Sequence, residues 1–322
     1  MNESRNWLAA ARKRLLASQS FYLLAIIVVM CVITGAFNPN FFSISNLRSV
    51  MGQISTLGLV ATGATILIVS GHFDISIGSI IGFAATMMCM TINAGGSDIV
   101  AMLVAIGVAL LCSAFNGVMS VLFRAPSFII TLATANVFKG LALTISDGGN
   151  EYVFGRVEYF AGTYILDFIP LLFLISLAGY FIIAAMMRQT QFGRRVFAIG
   201  SNAQAAYLAG IRVNANKIKF FMVNGLIVGI AVIMFVSRLG AAQSTTGSGM
   251  ELDAIGAVII GGAPITGGKG NLLGTFCGVL LTGLIYNMLN LLRVSPYLQT
   301  ISIGLLILLS IAISSLRLRV AK

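Results

Sequence analysis

Charge is scarce in this chain. Of its 322 residues, only 9% are Asp, Glu, Lys or Arg, while 58% are hydrophobic and the mean hydropathy is +0.99. A water-soluble domain carries about 25% charged residues, so 20 basic and nine acidic side chains are too few to solvate a surface of this size. A soluble enzyme, a disordered chain and a secreted disulfide scaffold are thereby excluded. Histidine is nearly absent: His72 stands alone, so neither a histidine metal centre nor a histidine-driven triad has material to work with. Cysteine is sparse too. Cys31, Cys89, Cys112 and Cys277 each sit in an apolar run, with no pair at a metal or redox spacing, and read as small buried hydrophobes. Neither a metal nor a cofactor is expected in the chain. No cleavable signal peptide is evident either. Trp7 to Ser18 is basic and amphipathic without a following small-residue cleavage site, and 1–19 reads as a helix lying on the cytoplasmic surface.

What is abundant is long apolar sequence. Hydrophobic runs occupy 20–36, 52–70, 76–92, 99–122, 127–145, 164–187, 218–238, 252–267, 272–291 and 296–315. Unpaired backbone is not tolerated in hydrocarbon, so runs of about 20 residues must be helices. The expected fold is an all-α polytopic membrane protein of about ten transmembrane helices over 20–315, with a cytoplasmic tail at 316–322. The 252–267 run is short and glycine-rich, which leaves eight or nine crossings as alternatives.

The net charge of +11 records an orientation rather than a nucleic-acid partner. With the N-terminus inside and ten spans, the inner side receives the basic residues of 5–14, Arg124, Arg188, Arg194, Arg195, Arg212, Lys217, Lys219, Lys269 and those of 317–322. Only Arg48, Lys139, Arg156, Arg238 and Arg293 fall towards the outer side. The acids Asp98, Asp147, Glu151, Glu158, Asp167, Glu251 and Asp253 do the opposite. An error in the span count would scramble this alternation, so both termini are expected to be cytoplasmic. Spans two to five and seven to ten then run in opposite senses, as two inverted halves would.

Two connections are long. The outer one, 146–163, is acidic. The inner one, 188–217, has five basic residues and no acid, yet 196–211 is small and apolar. There Asn202 is placed to cap a short helix over Ala205 to Ala209, ended by Gly210. Such a helix, held outside the membrane among arginines, suggests a docking surface.

Polar groups at membrane depth are costly and usually functional. Asp74 leads them, in Ser70-Gly-His-Phe-Asp-Ile-Ser-Ile-Gly78. One reading is a broken helix, with Asp74 or Ser76 capping the next helix and exposed backbone lining a cavity; the other is a tight re-entrant turn in which Asp74 only satisfies helix N–H groups, and a place for Asp74 and Ser76 on a translocation path is compatible with either. Lys139 either faces a lumen or snorkels. Asn116, Asn287 and Asn290 can hydrogen-bond between helices. The run Gly261-Gly-Ala-Pro-Ile-Thr-Gly-Gly-Lys-Gly270 departs from the phosphate-loop pattern at Ala263 and Gly270. It reads as a turn between spans eight and nine that faintly echoes 71–78. No nucleotide-binding pattern is present, and the chain is not expected to be an enzyme.

In their order the motifs resemble one family. Asn38-Pro-Asn-Phe-Phe and Asn46-Leu are followed by Asp74-Ile-Ser-Ile-Gly-Ser79, Phe128-Ile-Ile-Thr-Leu132 and Phe192-Gly-Arg-Arg with Ala198-Ile-Gly-Ser-Asn202. After them come Glu251-Leu-Asp-Ala-Ile-Gly-Ala-Val-Ile-Ile-Gly-Gly262, Gly267-Gly-Lys-Gly-Asn-Leu-Leu-Gly274 and Asn290-Leu-Leu-Arg-Val-Ser-Pro296. From about 37 to 315 the chain resembles the permease subunit of bacterial ABC importers for monosaccharides, of the ribose-permease type. One departure is His72-Phe73, where the family has Gly-Ile before the acid. The resemblance implies a subunit of the bacterial inner membrane that pairs with a second permease copy, identical or not. It also implies cytoplasmic ATPases that use ATP and magnesium, and a periplasmic sugar-binding protein. By the same resemblance Phe192, Gly193, Arg194, Arg195, Gly200, Asn202, Ala206 and Gly210 belong to the segment that couples to the ATPase. Asp147, Glu151 and Glu158 are placed to meet the binding protein. The competing class is a secondary transporter driven by an ion gradient, for which Asp74 is nearly the only intramembrane acid available.

Overall fold

The computed structural model describes residues 19–305 and Leu308. The expected surface segment up to residue 18 and the tail 316–322 lie outside the described residues. Apart from the four-residue turns Pro39–Phe42 and Tyr159–Gly162, the helices in chain order are α1 (Gln19–Phe37), α2 (Ile44–Val69), α3 (Ile77–Asn93), α4 (Asp98–Leu122), α5 (Ser127–Ile145) and α6 (Leu171–Gln189). They continue with α7 (Gln191–Ser201), α8 (Ala203–Leu208), α9 (Val213–Leu239), α10 (Met250–Ile260) and α11 (Leu272–Leu291), and 296–305 is helical as well. Sheet among the described residues amounts to two antiparallel pairings, Glu151–Tyr152 with Ala241–Ala242 and Tyr164–Ile165 with Ile169–Pro170. The chain is all-α. Six helices, α2, α4, α5, α6, α9 and α11, are long and apolar enough to cross a membrane, and α1 and α3 are shorter apolar helices.

Helix α2 is the axis of the bundle: almost every residue from Ile54 to Val69 is buried. The other helices reach it and one another through small residues, since lipid offers no hydrophobic drive and close van der Waals contact must replace it. On α9, Gly225 and Gly229 take the backbone of α4 at Leu110 and Ile106. That face of α4 is a stripe of Ala101, Ala105, Ala109, Cys112 and Ser113. On α11, Gly274 and Gly278 receive α10 at Gly261 and Ala257 in the same way.

The expected runs and the observed helices part company in two places. The run at 164–187 becomes helical only at Leu171, because Tyr164–Pro170 folds into a hairpin with Leu166 and Asp167 at positive φ and Pro170 at the helix cap. The run at 252–267 yields an 11-residue helix, after which Gly261, Gly262 and Pro264 turn the chain. That turn joins α10 to α11, as the glycine run suggested.

Loops gather at two opposite ends of the bundle. At one end Phe73 meets Ser127, the first residue of α5, and Val69 meets Gly268. At the other, Asn93 meets Glu151, Arg156 pairs with Asp98, and Val153 donates to Gly240. There Arg48 also lies over the Tyr164 ring and donates to the Asp167 carbonyl.

Candidate functional site: a buried polar network and a glycine joint

After Val69 the chain leaves the helix, reverses at Gly71 (φ +80°) and resumes at Ile77. A break inside the bundle orphans backbone amides, and in a membrane these need protein partners. Side chains of α5 supply them. Phe73 donates to Ser127 Oγ and Ile75 to Thr131 Oγ1, both at 3.0 Å. Asp74, only 2% exposed, accepts the Ser76 amide at 3.0 Å and the Ser76 hydroxyl at 2.5 Å on Oδ1. Its Oδ2 accepts Asn224 Nδ2 at 3.2 Å. Asn116 Nδ2 donates to Ser76 Oγ, and Asn116 Oδ1 accepts the Thr134 hydroxyl, each at 2.7 Å. Ser76 occupies the cap position of α3 without a side-chain cap bond; the capping contribution comes from Asp74.

The network fastens the break to α4 through Asn116, to α5 through Thr131 and Thr134, and to α9 through Asn224. All of its side chains are buried. Asn224 escaped the sequence reading, although a lone amide within the apolar 218–238 run was its signal. Gly63 explains how it fits: a Cβ there would lie 2.5 Å from Asn224 Oδ1.

Beside the break lies a joint made of backbone. The Gly268 amide donates to the Val69 carbonyl at 2.8 Å. A Cβ on Gly267 would lie 2.8 Å from the Gly71 nitrogen, and one on Gly200 would strike the Val69 carbonyl. The two glycine-rich breaks that echo each other in sequence therefore touch, and the end of α7 rests on both.

The segment expected to couple to a partner begins with α7, a helix the sequence reading did not separate from its surroundings. Val196 and Ile199 are buried while Arg194 is exposed. Phe192 packs edge-on against Phe220 at 5.2 Å, and buried Gly193 meets the Met187 carbonyl. Arg195 donates to Gln191 at 3.3 Å. Asn202 caps α8 as expected, accepting the Ala205 amide at 3.0 Å, and Gly210 at φ +81° ends the turn. The small residues Gly193, Gly200 and Ala206 face their own chain. What α8 offers to the outside is Tyr207 and Leu208, 65% and 76% exposed.

The remaining candidates are dispersed. Lys139 is exposed on α5, next to Phe138, which stacks on Phe83. Asn287 exchanges two hydrogen bonds with Asn46, at 2.7 and 3.1 Å, tying α11 to α2. Asn290 accepts from Gln299 at 2.9 Å. The structure thus joins Asp74, Ser76 and Asn116 and leaves Lys139, Asn287 and Asn290 apart from them. At the opposite end Glu151 accepts from Asn93 and Glu158 from the Gly155 amide, while Asp147 is exposed.

Residues 46–311 match the family described as "Branched-chain amino acid transport system / permease component". Among curated proteins the chain is 34% identical over 292 residues to the ribose import permease protein of Bacillus subtilis (strain 168), covering 88% of each chain. It is 32% identical over 301 residues to the ribose import permease protein of Escherichia coli (strain K12), covering 91% of this chain and 92% of the relative. It is also 32% identical over 305 residues to the autoinducer 2 import system permease protein of Yersinia pseudotuberculosis (serotype O:3, strain YPIII), covering 93% and 85%. No solved structure matches the chain significantly. A membrane-type helical bundle matched over most of its length by permease components of import systems belongs to that permease family.

Proposed function

We propose that this chain is the membrane-spanning permease subunit of an ATP-driven ABC importer in a bacterial inner membrane. In this reading a monosaccharide or similar small polar solute arrives on a periplasmic binding protein and crosses by alternating access. ATP and magnesium are held by partner ATPases, and a second permease copy completes the membrane unit. The chain crosses ten times, in two inverted halves, with both termini in the cytoplasm.

The observation that carries this reading is the sorting of charge between the two ends of the bundle. The end that gathers the Asp74 break, the loop before α5, α7–α8 and the Gly268 turn holds Arg124, Arg188, Arg194, Arg195, Arg212, Lys219 and Lys269. The opposite end holds Asp98, Asp147, Glu151, Glu158 and Asp167. Basic residues concentrate on the cytoplasmic side, so α7–α8 stands where an ATPase is reached. A stroke received on Tyr207 and Leu208 passes through Gly200 to the ends of α2 and of the α10 turn, and so to the Asp74 network.

Uptake of radiolabelled ribose in cells co-expressing the candidate ATPase and binding protein tests the reading. Uptake is expected to vanish when the ATPase is omitted or its phosphate-loop lysine is replaced, and to persist when an uncoupler collapses the proton gradient at clamped ATP. The reverse pattern would assign the chain to the ion-driven class.

A further inference from the structure

The bundle has flanks of two kinds. Helix α5, packed on α3 and α4, exposes Asn136, Lys139 and Thr144, and polar groups at membrane depth need protein or water beside them. Helix α6, packed on α2 and α7, differs. Between Leu171 and Met187 its exposed residues are Ala178, Phe181, Ile182 and Ala185, all apolar. Such a face is at home against acyl chains, which are as apolar as leucine.

On this flank α6 and α11 both lie on α2, and a cleft of about 420 Å³ separates them. Buried Thr65 of α2 lines it, with its hydroxyl already spent on the Ala61 carbonyl and on Thr275. Exposed Phe181 and Leu273 form its rims. Tyr180, whose ring meets Phe276 of α11 at 5.3 Å, bridges its deep end. From Tyr180 to Arg188 the helix rises about 12 Å, against about 15 Å for one leaflet of hydrocarbon.

The other end of the cleft is cationic. Arg188 stands there in the last turn of α6, with Asn271 and Leu272 at the start of α11. No acid lines the cleft, and none occurs in the sequence between Asp167 and Glu251. Among the described residues the one ion pair is Arg156 with Asp98, at the opposite end of the bundle. The opening turn of α11 adds the positive end of a helix dipole. A soluble anion would leave Phe181 and Leu273 bare, and a neutral hydrocarbon would leave Arg188 without a counter-ion. An anionic amphiphile satisfies both.

We propose that the α6–α11 cleft binds one anionic phospholipid, with its phosphate at Arg188 and one acyl chain lying past Phe181 and Leu273 as far as Tyr180. Basic pockets between membrane helices on the cytoplasmic side hold such headgroups. The site goes beyond the transport reading and takes from it only the membrane and the inward-facing end of α6.

Native mass spectrometry of the purified full chain in detergent, titrated with dioleoyl phosphatidylglycerol and with dioleoyl phosphatidylcholine, tests the site. The first lipid bound should favour phosphatidylglycerol by about fivefold, the worth of one basic residue at a lipid surface. Arg188 is exposed, so its substitution leaves the core untouched. Arg188→Gln should cut the preference to within about twofold, while Arg188→Lys keeps most of it. Arg124→Gln, at the same end but outside the cleft, should leave it unchanged. Ala184→Phe, on the cleft wall, should weaken both lipids alike. Inorganic phosphate in large excess should not displace phosphatidylglycerol; displacement would mark a plain anion site and overturn the proposal. Equal binding of the two lipids to the unsubstituted chain would overturn it as well, and would leave Arg188 to a protein partner. So would an unchanged preference in Arg188→Gln or undiminished binding in Ala184→Phe. The measurement needs neither ATPase nor binding protein, so its outcome stands apart from that of the uptake assay.

Discussion

Replacing Asp74 by alanine and by asparagine separates a fastening role from a role for its charge. Asp74→Ala removes the acceptor of the Ser76 amide and of Asn224 Nδ2, both buried. Each abandoned donor costs ~1–3 kcal/mol, tempered by the ~0.6 kcal/mol average of interhelical hydrogen bonds measured within membranes. A loss of about 2–4 kcal/mol follows for the pair. Asp74→Asn is different, because its amide oxygen still accepts from Ser76. Its NH2 group would then face Asn224 Nδ2, donor against donor, but Asn224 Oδ1 has no partner. Rotating the Asn224 amide by a half-turn restores the bond, so asparagine should cost less than about 1 kcal/mol. In a cycle, Asp74→Ala and Asn224→Ala together should cost about 1 kcal/mol less than their sum, since they share one hydrogen bond. SDS-induced unfolding of the purified chain in mixed micelles, followed by far-UV circular dichroism, reads all four species. Equal damage from asparagine and alanine would refute the fastening account and put the weight on the carboxylate charge.

Two further substitutions probe the joint and the opposite end. Gly200→Val drives a branched side chain into the Val69 carbonyl and within reach of the Gly268 amide. It should cost on the order of 3 kcal/mol by overpacking and abolish uptake, whereas Ala203→Val on the exposed face of α8 should leave both uptake and melting behaviour unchanged. Asn46→Leu leaves the buried Asn287 amide without its partner, and Asn287→Leu leaves the half-buried Asn46 amide only the Phe41 carbonyl; the first should destabilise by ~1–2 kcal/mol and the second by less, while the double leucine variant should recover most of that loss in the same SDS titration.

How much of this was legible in the sequence differs from one feature to the next. The Asn202 cap, the Gly210 stop and the turn at 261–270 were readable because each is set by residues within one helical turn of the event. The helical runs were readable because hydrocarbon leaves the backbone no other choice. The partners of Asp74 were not, since Asn224 lies 150 positions away and hydropathy records how apolar a stretch is, not which way its one amide points. The hairpin at Tyr164–Pro170 was hidden for the same reason: its residues are apolar enough to resemble a helix. Lys139, Asn287 and Asn290 were grouped with Asp74 by chemistry alone, and geometry put them on different faces and helices.

The contact among Val69, Gly71, Gly200 and Gly267–Gly268 contains almost no side chain. Side chains absorb small displacements by changing rotamer, and that slack is lost motion in any linkage. A seat of peptide on peptide has no such freedom, so a shift of α7 by a fraction of an ångström moves the ends of α2 and α10 by nearly the same amount. The same bareness narrows what can vary there. A Cβ on Gly200, Gly267 or Gly268 wedges the seat apart, so these three glycines should tolerate fewer replacements than Asp74 itself, whose network has a spare amide with which to adjust.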